Sequence, residues 1–156
     1  MSRRRKATKR KILPDAKYNS LLLAKFINVL MRQGKRALAE QIVYKALEQM
    51  ESKLNKNPIE SFEQFVAAVT PELEVKSRRV GGATYQVPVE VPKTRGSILA
   101  IRWIVKSARN RSERTITDRL LGEFLDISNN KGASLKVREN NHKMAESNRA
   151  FAHYNW

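Results

Sequence analysis

The chain has 156 residues, with 31 Lys+Arg against 15 Asp+Glu and a formal net charge of +16. It contains no cysteine, which excludes disulfides and thiolate zinc sites, and no apolar run approaches the ~20 residues of a membrane helix, so a soluble, intracellular protein is expected. A hydrophobic content of 41% is enough for one domain with a core, and a field of this sign favours a polyanion as partner.

Residues 1–11 carry seven bases (Arg3, Arg4, Arg5, Lys6, Lys9, Arg10 and Lys11) and no acid. Like charges in a run repel, so this arm is expected to be disordered when free and to order along phosphates. Pro14-Asp15 follows it instead of an apolar run, so it does not read as a secretory signal. Residues 12–156 read as one domain. Its first helix starts after Asn19 or Ser20, places Leu22, Leu23, Phe26, Ile27 and Leu30 at helical spacing, and stops at Gly34. A second helix follows a very short turn, with the stripe Leu38, Ile42, Val43, Ala46, Leu47, Met50 and Leu54. So short a connection makes the two helices packed neighbours. The third helix has the clearest start: Asn57 caps, Pro58 fits the first turn, and Glu60 stands where a capping-box acid would. Ile59, Phe62, Phe65, Val66 and Val69 face inward, and Thr70-Pro71 ends it. Residues 37–75 hold seven acids and three bases. That block is solvated or faces protein, and the rest of the surface suits phosphate.

Residues 73–91, LEVKSRRVGGATYQVPVEV, are two alternating runs around Gly81-Gly82, the pattern of a β-hairpin with a two-residue turn. Val80 should then pair with Ala83, Arg79 with Thr84 and Arg78 with Tyr85. Lys76, Arg78 and Arg79 lie near the turn, and no acid occurs between Lys76 and Gln86. Arg78 beside Tyr85 gives the tip a guanidinium and a ring. A lone two-stranded ribbon is marginal in water. With such a tip it suits an arm that enters a nucleic-acid groove.

The fourth helix is expected to start near Ser97, with Ile98, Ile101, Val105 and Ala108 inward. Arg95, Arg102, Lys106 and Arg109 make a cationic stripe without interleaved acids, which favours phosphate contact. Trp103, between stripe and core, can stack on a base or pack internally, and packing is the preferred reading. Residues 109–114 form a basic loop, and Thr115 or Thr117 caps a fifth helix bearing Leu120, Leu121, Phe124 and Leu125. After a turn at 129–132, the last segment has Leu135, Met144, Ala145, Ala150 and Phe151 as inward candidates, with Lys136, Arg138, Lys143 and Arg149 spread around it. So few apolar residues require a partner surface. The two histidines, His142 and His153, lack the register of a metal site, and no nucleophile–base pair is visible. The reading is therefore a non-enzyme without metal or cofactor.

Four blocks carry a resemblance. KRKILPD at 9–15, EVKSRRVGGATYQVPVEV at 74–91, LAIRWI at 99–104 and HKMAESNRAFAHYNW at 142–156 look like the family of small-subunit ribosomal protein seven, bacterial or organellar type. The resemblance implies a mainly α fold, about six helices with a protruding hairpin between the third and fourth. It implies a structural constituent of the small subunit that binds the 3′ major domain of its rRNA and nucleates head assembly. It implies a hairpin near exit-site tRNA and the mRNA path, marked by Arg78, Arg79, Gly81, Gly82 and Tyr85. Contacts to rRNA and tRNA carry over to Arg3, Arg4, Arg5, Arg10, Lys11, Lys76, Arg78, Arg79, Arg102, Arg109, Lys136, Arg138, Lys143 and Arg149; the helical stripe adds Arg95 and Lys106. Neighbours by resemblance are head proteins nine, thirteen and nineteen and platform protein eleven, in a bacterial cytoplasm or an organelle matrix or stroma. The stretch 92–97, PKTRGS, departs from the family habit of two adjacent arginines after the hairpin. The competing class is a DNA-bending protein with ribbon arms, but Val80-Gly81-Gly82-Ala83 is too small to prise base steps apart.

Overall fold

The computed structural model describes Thr8 and residues 11–154. Arg3, Arg4, Arg5 and Arg10, and with them most of the basic arm, lie outside the described residues. In chain order the elements are α1 (Leu21–Leu30), α2 (Arg36–Leu54), α3 (Pro58–Val69), β1 (Leu73–Val80), β2 (Ala83–Glu90), α4 (Lys93–Arg109), α5 (Ile116–Ser128), α6 (Ala133–Ser147) and a 3-10 turn (Arg149–Tyr154). The protein is mainly helical, with one antiparallel hairpin between α3 and α4.

The core forms where α1 to α5 bring their apolar stripes together. Phe26, Phe62 and Phe124 are almost wholly buried, and Phe65 nearly so. The rings of Phe26 and Phe62 meet edge-on at 5.2 Å, and Phe124 lies 6.0 to 6.1 Å from Phe26, Phe62 and Phe65. Trp103 packs against this cluster, as expected.

Local signals explain most boundaries. Ser20 Oγ accepts the Leu23 N–H at 3.3 Å and starts α1. Asn57 Oδ1 accepts the Ile59 N–H at 3.0 Å, with Pro58 as first residue of α3. Thr115, not Thr117, caps α5 through the Asp118 N–H. Asp15 was silent in the sequence reading. It is 3% exposed, accepts the N–H groups of Lys17 and Tyr18, and takes the Tyr44 hydroxyl at 2.6 Å. Burial first, and then Asp15, push the Tyr44 phenol up from its ordinary value. The segment before α1 is thereby tied to α2.

Several boundaries and faces differ from expectation. α1 ends at Leu30, because Met31 is already extended; Gln33 and Gly34, both with positive φ, make the turn further on. Leu38 is 53% exposed, since it lies in the first turn of α2 on the side of a surface cleft. α4 begins at Lys93, one turn before Ser97. Its first turn is held against the α3–β1 corner at Gly96, where a Cβ would come within 2.8 Å of the Thr70 methyl. Residues two apart in a helix sit on opposite sides, so burying Gly96 turns Ile98 outward. On α6 the buried residues are Ser134, Leu135 and Ala145, which leaves Met144 exposed; Ala150 is exposed too, and Phe151 is half-buried.

The loop into α5 is not a loose basic stretch. Arg111 donates to Asp126 at 2.5 Å and to Glu113 at 2.8 Å, and it reaches Glu123 at 3.4 Å. Glu123 is fully buried and accepts both the N–H and the hydroxyl of Ser134, at 2.9 and 2.7 Å. Any side chain at Gly122 would displace this guanidinium, since a Cβ there would lie 2.7 Å from Arg111 Nη2. One ion cluster thus joins the loop between α4 and α5, α5 itself and the start of α6.

Candidate nucleic-acid interface

The hairpin has the expected register: Val80 opposite Ala83, Arg79 opposite Thr84, Arg78 opposite Tyr85. Gly81 and Gly82 have φ of 57° and 91°, and a two-residue turn with both φ positive fits the twist of the strands. Arg79 and residues 81–84 are exposed, while Arg78 is half-buried. Tyr85 does not stand open beside Arg78. Its ring lies 5.2 Å from both Phe151 and Tyr154, which the chain brings back from the C-terminal side.

At the root of the hairpin the cations have protein partners. Glu74, 8% exposed, takes Arg95 through Nε and Nη2 at about 3 Å and Lys76 at 3.1 Å. Burial works against its charge, yet the Arg95 and Lys76 hydrogen bonds prevail and hold the carboxyl below its usual range. Arg95 therefore fixes α4 to β1. Along α4, Arg102 and Lys106 are exposed, whereas Arg109 turns in and donates to the Leu30 carbonyl at 2.9 Å. Burial, with the charge of Arg32 adding, lowers the Arg109 pKa below its ordinary value. On α6, Lys136 and Lys143 are exposed, as are Arg149 on the 3-10 turn and Lys11 before α1. Arg138 instead donates to the Ala68 carbonyl at the end of α3.

Two adjoining clefts lie beside the α4 cations. One, of about 430 Å³, has Leu30, Leu38, Ile42 and Ile116 as apolar lining and Arg32, Lys35, Arg109 and Arg119 as cations. The other, of about 350 Å³, is lined by Val29, Arg32, Arg102, Val105, Lys106, Arg109 and Asn110. Neither lining contains a carboxylate. Arg32, Lys35 and Arg119 were absent from the sequence-based site. The only hint was local: Arg32 and Lys35 in the turn between α1 and α2 precede Arg36, the first residue of α2, and the nearest acid is Glu40. Among the described residues, no group of three or more His, Cys, Asp or Glu is arranged to hold a metal ion, and no helix is long and apolar enough to cross a membrane.

The cations of α4 and of the two clefts thus lie together on one side of the fold. The family profile described as "Ribosomal protein S7p/S5e" matches residues 2–149. The chain belongs to this family. It is 56% identical over 156 residues to the small ribosomal subunit protein uS7 of Rhodospirillum rubrum and to that of Rhodospirillum centenum, covering all of each chain. The uS7 protein of Methylobacterium nodulans is 55% identical over the same full length. These relatives are bacterial. The S7p/S5e family is one of ribosomal structural proteins and not of enzymes.

Proposed function

We propose that this member of the S7p/S5e family, a structural constituent of the small ribosomal subunit in a bacterial-type cytoplasmic ribosome, binds the 3′ major domain of small-subunit rRNA and nucleates folding of the subunit head. One observation carries the reading. Arg102 and Lys106 project from α4 beside clefts whose linings hold cations and no carboxylate. Phosphate is the counter-charge such a surface lacks. Lys11, Arg79, Lys136, Lys143 and Arg149 extend the contact as exposed bases, and the arm at 1–11 adds a basic run that can follow the backbone. Arg95, Arg109 and Arg138 serve first as internal ties, and their part in RNA binding is to hold the surface in shape.

The acidic stretch of α2 and α3 faces neighbouring proteins in this reading, among them head proteins nine, thirteen and nineteen and platform protein eleven. Exposed Glu48, Glu51, Glu60 and Glu63 suit basic ribosomal partners better than rRNA.

The hairpin tip reaches exit-site tRNA and the mRNA path. Replacing residues 79–84 by a short turn removes Arg79 and the glycine turn but keeps Tyr85 and the root contacts. The shortened protein should fold and enter subunits normally. Exit-site tRNA should leave these ribosomes faster, by roughly tenfold, the equivalent of ~1.4 kcal/mol. Unchanged tRNA release would remove the tip from that contact. Failure to enter subunits would make the tip an rRNA anchor.

A further inference from the structure

We propose that the C-terminal segment is a brace that sets where the hairpin points, with Tyr85, Phe151 and Tyr154 as positioning residues. An isolated two-stranded ribbon has no face to bury and is marginal in water, so its direction must come from what packs on it. Here α6 packs along β1 and the 3-10 turn along β2. The first tie is at the root. Asn141 Nδ2 donates to the Leu73 carbonyl at 2.8 Å, and His142 Nε2 accepts the Glu72 N–H at 3.1 Å. Both bonds go to backbone, so they fix the course of the chain as it enters β1. The second tie is further out, where the Tyr85 ring meets Phe151 and Tyr154.

Tyr85 belongs to the third pair from the turn, so only the pairs Arg79–Thr84 and Val80–Ala83 extend past the last brace. The 3-10 turn has no fully buried residue, and neither Phe151 nor Tyr154 joins the central apolar cluster. Both rings instead contact Tyr85 of the hairpin. The tip therefore acts as a short rigid end on a supported lever. This deepens the reading of the hairpin as a projecting arm, and its test uses the free protein, so that it stands or falls apart from any tRNA contact.

The chain has no cysteine, so two spin labels can be placed without removing any native residue of that type. Ala83→Cys labels the tip and Gln49→Cys labels an exposed site on α2. The distance distribution between them, measured by double electron–electron resonance on the full-length protein, should be narrow. Phe151→Ala with Tyr154→Ala should broaden it roughly twofold, as expected for a ribbon left to its own marginal stability. Tyr85→Ala should do the same, and Tyr85→Phe, which keeps the ring, should restore the narrow distribution. The thermal midpoint followed by circular dichroism should stay close to that of the parent, because no central core residue is touched. A role limited to general stability would lower the midpoint and leave the distribution narrow. If the double variant loses its helical signal, Tyr85→Ala alone decides, since it leaves the C-terminal segment intact. A distribution as narrow in Tyr85→Ala as in the parent overturns the proposal.

Discussion

Raising the salt from 50 to 200 mM should weaken binding to a 3′ major-domain rRNA fragment by roughly 10³–10⁵-fold, provided about six to ten phosphates are neutralised. The structure allows that number of contacts. Lys11, Arg79, Arg102, Lys106, Lys136, Lys143 and Arg149 are exposed, and none of them is paired with an acid among the described residues. Each contact releases condensed counterions, so seven contacts give a slope of roughly −5 to −6 in a plot of log affinity against log salt. Arg95, Arg109 and Arg138 are not counted, because they already serve Glu74, the Leu30 carbonyl and the Ala68 carbonyl. Filter binding across a salt series measures the slope. A nearly flat response would mean that the interface is not built on the phosphate backbone.

Phe124→Ala should cost about 3–5 kcal/mol of folding stability. The ring lies at the point where α1, α3 and α5 meet, within about 6 Å of the rings of Phe26, Phe62 and Phe65. Its removal loses the transfer energy of the ring and leaves a space that three other rings can only partly fill. Against a total stability of about 5–15 kcal/mol this is a large share. The melting temperature should fall by on the order of 10 °C. A shift of only a degree or two, read by circular dichroism, would mean that the helices close over the gap and that the four rings are not the centre of the fold.

The hairpin and the third helix were legible because their signals are local. Gly81-Gly82 between alternating runs sets one register, and Asn57-Pro58 sets one helix start. Charge was legible as a total but not as a distribution of work. Nothing within a few residues of Arg138 says that it will meet the Ala68 carbonyl, 70 positions away, and nothing near Arg109 points to Leu30. The same limit hid the carboxylate-free clefts, whose lining comes from α1, the α1–α2 turn, α2, α4 and α5. The aromatic partners of Tyr85 were hidden for a related reason. Its partners arrive from a terminal segment whose apolar pattern is thin, and helical spacing alone gave Phe151 no particular destination. Leu38, Ile98 and Met144 fit a helical period but fall where the neighbouring surface is a cleft, a glycine contact on the opposite side, or solvent.

The central claim is that RNA binding belongs to a particular face and not to net charge alone. It is tested most directly by two matched charge reversals measured against the same 3′ major-domain rRNA fragment at one salt concentration. Arg102→Glu with Lys106→Glu alters exposed cations of α4, and Lys45→Glu with Lys53→Glu alters exposed cations of α2, with the same change in net charge. Surface substitutions of this kind usually change stability by no more than ~0.5 kcal/mol each, so both proteins should fold. The α4 pair should lose affinity by at least roughly a hundredfold, about 2.8 kcal/mol, while the α2 pair stays close to the parent. Equal losses from the two pairs would contradict the account, because binding would then follow total charge and not the face built by α4.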